Sequence, residues 1–85
     1  MGIINKVVAS SGLDEAVKEY TDFYSKAPTK AIGLLKKMLT KAATSSLEEM
    51  LEYEAYCQEI AGVTHDHQEG VSAFLEKRKP EFLGK

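Results

Sequence analysis

An aromatic residue followed by three consecutive cations stands near the end of the sequence, where Phe74 precedes Lys77, Arg78 and Lys79. A ring can stack on a base and an ammonium group can bind a phosphate, so this combination suits a nucleotide such as the ADP part of coenzyme A. Phe74 and Lys77 would share one face of a continuous helix. The simpler alternative is that the cations only stabilise the carboxyl end of a helix, where the macrodipole favours positive charge.

Two histidines raise the question of a metal site, because His65 and His67 flank Asp66. On a helix, positions two apart point in different directions, and no cysteine or further histidine stands at a spacing that completes a ligand set. We therefore predict no metal site and interpret these residues as the solvated start of a helix.

A run of carboxylates could in principle supply acid–base catalysis. It comprises Glu48, Glu49, Glu52, Glu54 and Glu59. These residues alternate with an apolar stripe at helical spacing, which is typical of a solvated helix face. Since the sequence also lacks a nucleophile–base signature and a phosphate-cradling glycine loop, we assign no catalytic residue.

The elements that must position these groups follow from the spacing of the apolar residues. We predict an all-α fold of about four short helices after a short N-terminal extended segment. The β-branched residues in positions 1–8 favour a strand or an extended segment, although a lone strand has no partner for its backbone groups. The helices are expected at about 13–26, 28–42 and 47–61, and from 66 to no further than Pro80.

Side-chain caps are expected at three of the helix starts. Ser11 is placed to cap the first helix. Ser46 with Glu49, and Asp66 with Glu69, have the spacing of a capping box, so we expect them to begin the third and fourth helices.

Composition narrows the classes of function. The chain has 85 residues, with 11 Lys plus Arg against 13 Asp plus Glu and a net charge of −2, which gives no overall field for nucleic acid or an anionic membrane. No apolar run approaches the ~20 residues needed to span a bilayer.

The single cysteine, Cys57, cannot form an intramolecular disulfide, so we expect a reducing compartment and assign the cytoplasm. A chain this short has on the order of 4 to 13 kcal/mol of stability, so we expect self-association to matter.

Both ends of the chain resemble one family. GIINKVV at 2–8 is similar to the GLVNKVV segment of enoyl-CoA hydratases and isomerases, the crotonase superfamily. HQEGVSAFLEKRKPEF at 67–82 resembles that family's C-terminal EGxxAFxEKRxPxF signature, and Ala27, Pro28 and Lys36 fit the helix between.

The resemblance implies the C-terminal third of such a protein, a region that drives trimer formation and covers the acyl-CoA site. It divides the single domain 1–85 into the end of a missing crotonase core, 1–9, and the helical region, 10–85. Phe74 and Lys77 match the family positions that contact coenzyme A, and no tightly bound cofactor is implied. The family's oxyanion hole and catalytic glutamates precede the matched segment, so we expect a homo-oligomer that binds acyl-CoA beside a core domain and is inactive alone.

Two alternatives stay open at this point. The sequence could derive from a whole crotonase, whose coding frame would then continue upstream of Met1. It could also be a stand-alone helical acyl-CoA-binding or protein-interaction module, since a set of four short helices does not fix function.

Overall fold

The computed structural model describes residues 2–85, and Met1 lies outside them. Four α-helices follow one another: α1, Leu13–Ser25; α2, Thr29–Ala42; α3, Leu47–Gly62; and α4, His65–Glu76. A short 3-10 helix, Ser10–Gly12, leads into α1, and the described residues contain no strand. The predicted all-α class with about four helices is confirmed.

The N-terminal segment, residues 2–9, forms neither a helix nor a strand. Ile3, Ile4 and Val7 are all exposed, as follows when β-branched residues have no sheet to join. An ion pair of 3.0 Å between Lys6 Nζ and Glu19 Oε2 links the segment to α1. Of the two predicted alternatives for this part of the chain, the strand does not form among the described residues.

The predicted cap of α3 is confirmed, whereas that of α1 is wrong. Ser46 Oγ accepts the N–H of Glu49 at 3.2 Å, which is the N-cap bond of a capping box. The Ser46 hydroxyl, rather than its backbone N–H, donates to Glu49 Oε1 at 3.2 Å. Ser11 instead lies within the 3-10 helix, and Gly12 precedes α1 without a side-chain cap. The extra 3-10 turn moves the helix start past the serine.

The start of α4 also differs from the prediction. Thr64 Oγ1, and not Asp66, accepts the first-turn N–H, which His67 donates at 3.1 Å. Asp66 lies two positions past the N-cap residue Thr64, and its carboxylate accepts a different set of donors, described below. The capping-box assignment of Asp66 and Glu69 is therefore wrong, because the same spacing suits two acceptors on one face of a helix.

The end of α4 agrees with the predicted limit before Pro80. Lys77 has the left-handed conformation, with φ 55° and ψ 40°, and donates its N–H to Phe74 O. Arg78 donates its N–H to Ala73 O at 3.0 Å, which completes a Schellman-type end. The chain turns sharply at Lys77 without the glycine that usually occupies such a position.

The helices pack into an open arrangement with a small core. Helix α2 packs on α3, α3 contacts α4, and α1 packs mainly against the 3-10 helix. The buried apolar residues are Ala27, Cys57 and Ala73. The Cα radius of gyration is 16.4 Å, compared with about 12 Å for a compact domain of this length. None of the helices within 2–85 combines the length and the apolarity needed to cross a bilayer.

Candidate functional site

Phe74 is presented at the surface of α4. Its side chain is 83% exposed and borders a groove of about 400 Å³ between the start of α2 and the first turns of α4. Pro28 and Ala31 line the groove on one side, and Val71 lines it on the other. An aromatic ring left free beside an apolar groove can stack on a planar ligand.

Lys77 does not share the face of Phe74 in the way that a continuous helix predicts. The helix ends at Glu76, and the left-handed conformation of Lys77 redirects the backbone there. The groove beside Phe74 is lined by other basic residues, Lys30 on α2 and His67 on α4. The assignment of Phe74 and Lys77 to a coenzyme A contact stays a prediction, now without the face-sharing argument.

Lys30 and His67 were not among the predicted site residues. They come together only because the beginnings of α2 and α4 lie next to each other across the groove. No local spacing indicates this, since more than thirty sequence positions separate the two residues. Their meeting depends on how the helices pack.

Arg78 is already engaged by carboxylates. Its guanidinium donates from Nη1 and Nη2 to the two carboxylate oxygens of Glu69, and from Nε to Glu76 Oε2 at 2.6 Å. These bonds, first with Glu69 and then with Glu76, raise the pKa of Arg78. Arg78 and its two acidic partners together carry a net charge of −1. The free positive charge of the predicted cation cluster is thus that of Lys77 and Lys79, which make no ion pair with another residue in 2–85.

Glu69 is the acceptor of a second group as well. Besides the bidentate pair with Arg78, Glu69 Oε1 accepts the N–H of Glu81 at 3.0 Å. The hydrogen bonds from Arg78, followed by the Glu81 N–H, lower the pKa of Glu69 from 4.5 to about 2. This carboxylate stays ionised at any physiological pH.

Asp66 is the buried polar residue of the described chain, with 4% of its surface exposed. Its Oδ1 accepts the N–H of Leu83 and its Oδ2 that of Gly84, both at 2.8 Å, and His65 Nδ1 lies 3.2 Å from Oδ1. Burial alone raises the pKa of Asp66, but the N–H groups and the His65 ring outweigh it, so that the pKa is lowered. The carboxylate therefore binds backbone donors as an anion.

The acidic run on α3 and the two histidines do not form a catalytic or metal-binding cluster among residues 2–85. All five glutamates of the acidic run on α3 are exposed, as the pattern predicts. His65 bonds to Asp66, and His67 donates its backbone N–H to the Thr64 cap. Among residues 2–85, no three His, Cys, Asp or Glu side chains come together in a group that could hold a metal.

Comparison with known proteins gives a consistent result over the whole chain. The family described as enoyl-CoA hydratase/isomerase matches residues 1–85. The chain is 38% identical over 84 residues to 1,2-epoxyphenylacetyl-CoA isomerase of Escherichia coli K12, a match that covers 99% of this chain and 32% of that protein. Methylmalonyl-CoA decarboxylase of the same organism is 32% identical over 87 residues, with 99% and 33% covered.

A solved structure supports the same relationship. The crystal structure of an enoyl-CoA hydratase from Geobacillus kaustophilus HTA426 is similar to this fold, with a TM-score of 0.87 and 30% identity, over 99% of this chain and 32% of that one. The chain thus spans about a third of the length of the relatives it matches. By sequence over its full length and by fold, the chain belongs to the enoyl-CoA hydratase/isomerase family.

Proposed function

We propose that this chain acts as the C-terminal helical domain of an enoyl-CoA hydratase/isomerase-like protein, where it mediates oligomerisation and covers the coenzyme A site. In this proposal, residues 1–9 end a crotonase core and residues 10–85 form the helical region. The chain alone has no hydratase or isomerase activity, because the amide groups that would stabilise a thioester enolate belong to the core.

The observation that carries the proposal is the amount of surface that the chain leaves uncovered. The accessible surface is 7280 Å², whereas a compact monomer of 9.4 kDa exposes about 5,000 Å². The excess of roughly 2,300 Å² exceeds the ~800 Å² that each partner contributes to an interface of standard size. A fold with so much uncovered surface is completed by packing against another body.

Apolar side chains of α1 contribute to this uncovered surface. Leu13 and Val17 are each more than half exposed, at 55% and 54%. With Val8, Tyr20 and other residues they line an open groove of about 680 Å³ between the N-terminal segment and α1. We infer that a crotonase core or a second copy of the chain covers this face, since large exposed apolar patches mark interaction sites.

Coenzyme A is supported as the ligand by the names of the three proteins compared above. The three similar proteins are named as an isomerase, a decarboxylase and a hydratase, so their reactions differ, while each name includes a CoA compound. We therefore infer that the third of these proteins that matches this chain serves to bind the CoA part common to them, and does not determine which reaction they catalyse. Phe74 offers a free ring for adenine and Lys77 a free ammonium for phosphate.

Calorimetry with coenzyme A tests this assignment directly. Phe74→Ala should weaken binding by about tenfold or more, because stacking of one base on an aromatic ring contributes about 1–3 kcal/mol. Lys77→Ala should weaken binding and flatten its salt dependence. The matched controls are Phe23→Ala and Lys37→Ala, which remove an exposed ring and an exposed cation elsewhere. Equal affinity of Phe74→Ala and the wild-type chain would contradict the assignment.

The claim of inactivity has its own test. The purified chain should hydrate crotonyl-CoA at the background rate, and clear turnover would overturn it. Coenzyme A binding by a strictly monomeric chain would instead favour a stand-alone acyl-CoA-binding module.

We also propose a cytoplasmic, reducing location, since the only cysteine of the sequence, Cys57, is buried and has no partner for a disulfide.

A further inference from the structure

The last seven residues, 79–85, run back along α4 without regular secondary structure; we call them the C-terminal strap. Two carboxylates one turn apart on α4 accept three strap N–H groups: Glu69 accepts that of Glu81, and Asp66 accepts those of Leu83 and Gly84. The N–H of Asp66 in turn donates to the main-chain oxygen of Lys85 at 2.9 Å. The strap is held by its backbone, with ionised side chains as acceptors.

The far end of the strap lies on α2. Gly84 has a positive φ of 82°, and a Cβ atom at this position would lie 2.7 Å from Thr29 Oγ1. A larger residue would be strained at this φ and would force the Thr29 side chain to move. The strap therefore connects the start of α4, through Asp66, with the start of α2, through Thr29.

Phe82 fills the space between these two attachments. A Cβ atom on Gly70 would lie 3.7 Å from Phe82 Cε1, so the ring packs against bare backbone of α4. Phe82 lines the groove beside Phe74, and it also lines a second groove, of about 610 Å³, that reaches Phe23 at the end of α1. If the strap leaves α4, both grooves lose a wall.

We propose that the C-terminal strap is a latch, closed by the ionised carboxylates of Asp66 and Glu69, that sets the position of α4 against α2 and so shapes the groove beside Phe74. Hydrogen bonds to carboxylates are about twice as strong as those between neutral groups. Neutralising the two acceptors weakens all three strap bonds, while the intrahelical bonds of α4 remain. This inference does not depend on coenzyme A binding.

The charged groups around the latch support its dependence on ionised carboxylates. Asp66 faces His65 on its own helix, and Lys30 of α2 and His67 line the adjoining groove. Glu69 faces Arg78, whose other partner is Glu76. The basic partner of Asp66 is thus His65, and that of Glu69 is Arg78. Glu76 bonds to Arg78 through Nε, away from the two nitrogens that bond to Glu69.

Amide exchange measured by NMR on the full chain tests the latch. In the wild type, the amides of Glu81, Leu83 and Gly84 should exchange at least about tenfold more slowly than that of Phe82, which has no acceptor among residues 2–85. Glu69→Gln and Asp66→Asn should remove most of this protection. The control Glu59→Gln, an exposed carboxylate on α3, should not change it.

A second pair of variants keeps both carboxylates and changes the donor. Leu83→Pro removes the N–H that Asp66 accepts, whereas Leu83→Ala removes only an exposed side chain. The NOE between the Phe82 ring and the Gly70 α-protons should disappear in Leu83→Pro and persist in Leu83→Ala. If Leu83 and Gly84 exchange at unprotected rates in the wild type, or if the NOE survives Leu83→Pro, the proposal is overturned.

Discussion

Helices α1 and α4 both keep apolar side chains exposed, but α4 also has a face that the chain itself buries. On α1, Leu13 and Val17 stay more than half exposed, and an exposed ion pair, Lys6 to Glu19, is the contact that ties this helix to the N-terminal segment. On α4, Ala73 and Asp66 are buried, at 1% and 4% exposure, and the backbone of the strap lies against Asp66. The chain itself closes one face of α4 while Phe74 and Leu75 stay exposed at 83% and 73%, whereas the α1 face of Leu13 and Val17 stays open.

The two regions of this small domain therefore draw their stability from different interactions. A polar latch on α4 gives order where the apolar core is too small to give it, because charged hydrogen bonds fix backbone geometry. The apolar face of α1 contributes little until it is covered, since an exposed stripe gains nothing from the hydrophobic effect. Changes in the two regions should therefore affect different measurements.

The largest effect should come from charging the α1 face. Val17→Asp places an unpaired charge in the proposed interface, which costs about 3 kcal/mol or more, so association should weaken by about a hundredfold. Thr40→Asp adds the same charge on an exposed part of α2 and serves as the control. Sedimentation equilibrium measures both, and equal association of the two variants would remove α1 from the interface.

Enlarging a buried side chain on α4 should act on stability instead. Ala73 is 1% exposed, so Ala73→Leu overpacks the site and should lower the free energy of unfolding by about 1–3 kcal/mol. The exposed Ser72 offers a control in Ser72→Ala on the same helix. Urea unfolding followed by circular dichroism would show the difference, and unchanged stability of Ala73→Leu would mean that α4 is not closed as described.

Acid should release the strap from α4. The pKa of Glu69 is lowered to about 2 from 4.5, and that of Asp66 is lowered as well. Both carboxylates therefore contribute stability that is complete above about pH 5 and is lost as the pH falls through their lowered pKa values, which for Glu69 is about 2. Strap amides followed by NMR between pH 6 and pH 2 should lose protection in this window, and Glu69→Gln should remove part of the pH dependence. Protection that does not change over this range would separate the strap from the carboxylates.

Helix caps should give the smallest of these effects. Ser46→Ala removes the acceptor of the Glu49 N–H and should cost about 1 kcal/mol. Ser11→Ala should cost far less, because Ser11 caps no helix. Thermal unfolding of the two variants compares a confirmed cap with a failed one, and similar melting temperatures would contradict the assignment of Ser46.

The sequence predicts the helices well because each has its own apolar period and local ends. Ser46 and Glu49 act within one turn, so their spacing is sufficient to place the start of α3. Asp66 and Glu69 show the limit of this approach. Their spacing predicts a helix cap, but their carboxylate oxygens accept backbone N–H groups of residues up to 18 positions away. Local periodicity carries no information on such a contact.

The site was predictable only in part for a similar reason. The exposure of Phe74 agrees with a ring that is free to bind a ligand. The left-handed Lys77 has no signal in the sequence, because the usual glycine is absent and the turn is stabilised by the bonds to Phe74 and Ala73. Lys30 and His67 line the same groove only because of how the helices pack.

Sedimentation velocity of the wild-type chain over a wide concentration range tests the central claim most directly. If the uncovered face of α1 belongs to an interface, the chain should associate with itself as its concentration rises, and the effect should be absent in Val17→Asp. A wild-type chain that sediments as a single compact monomer at every concentration would contradict the account.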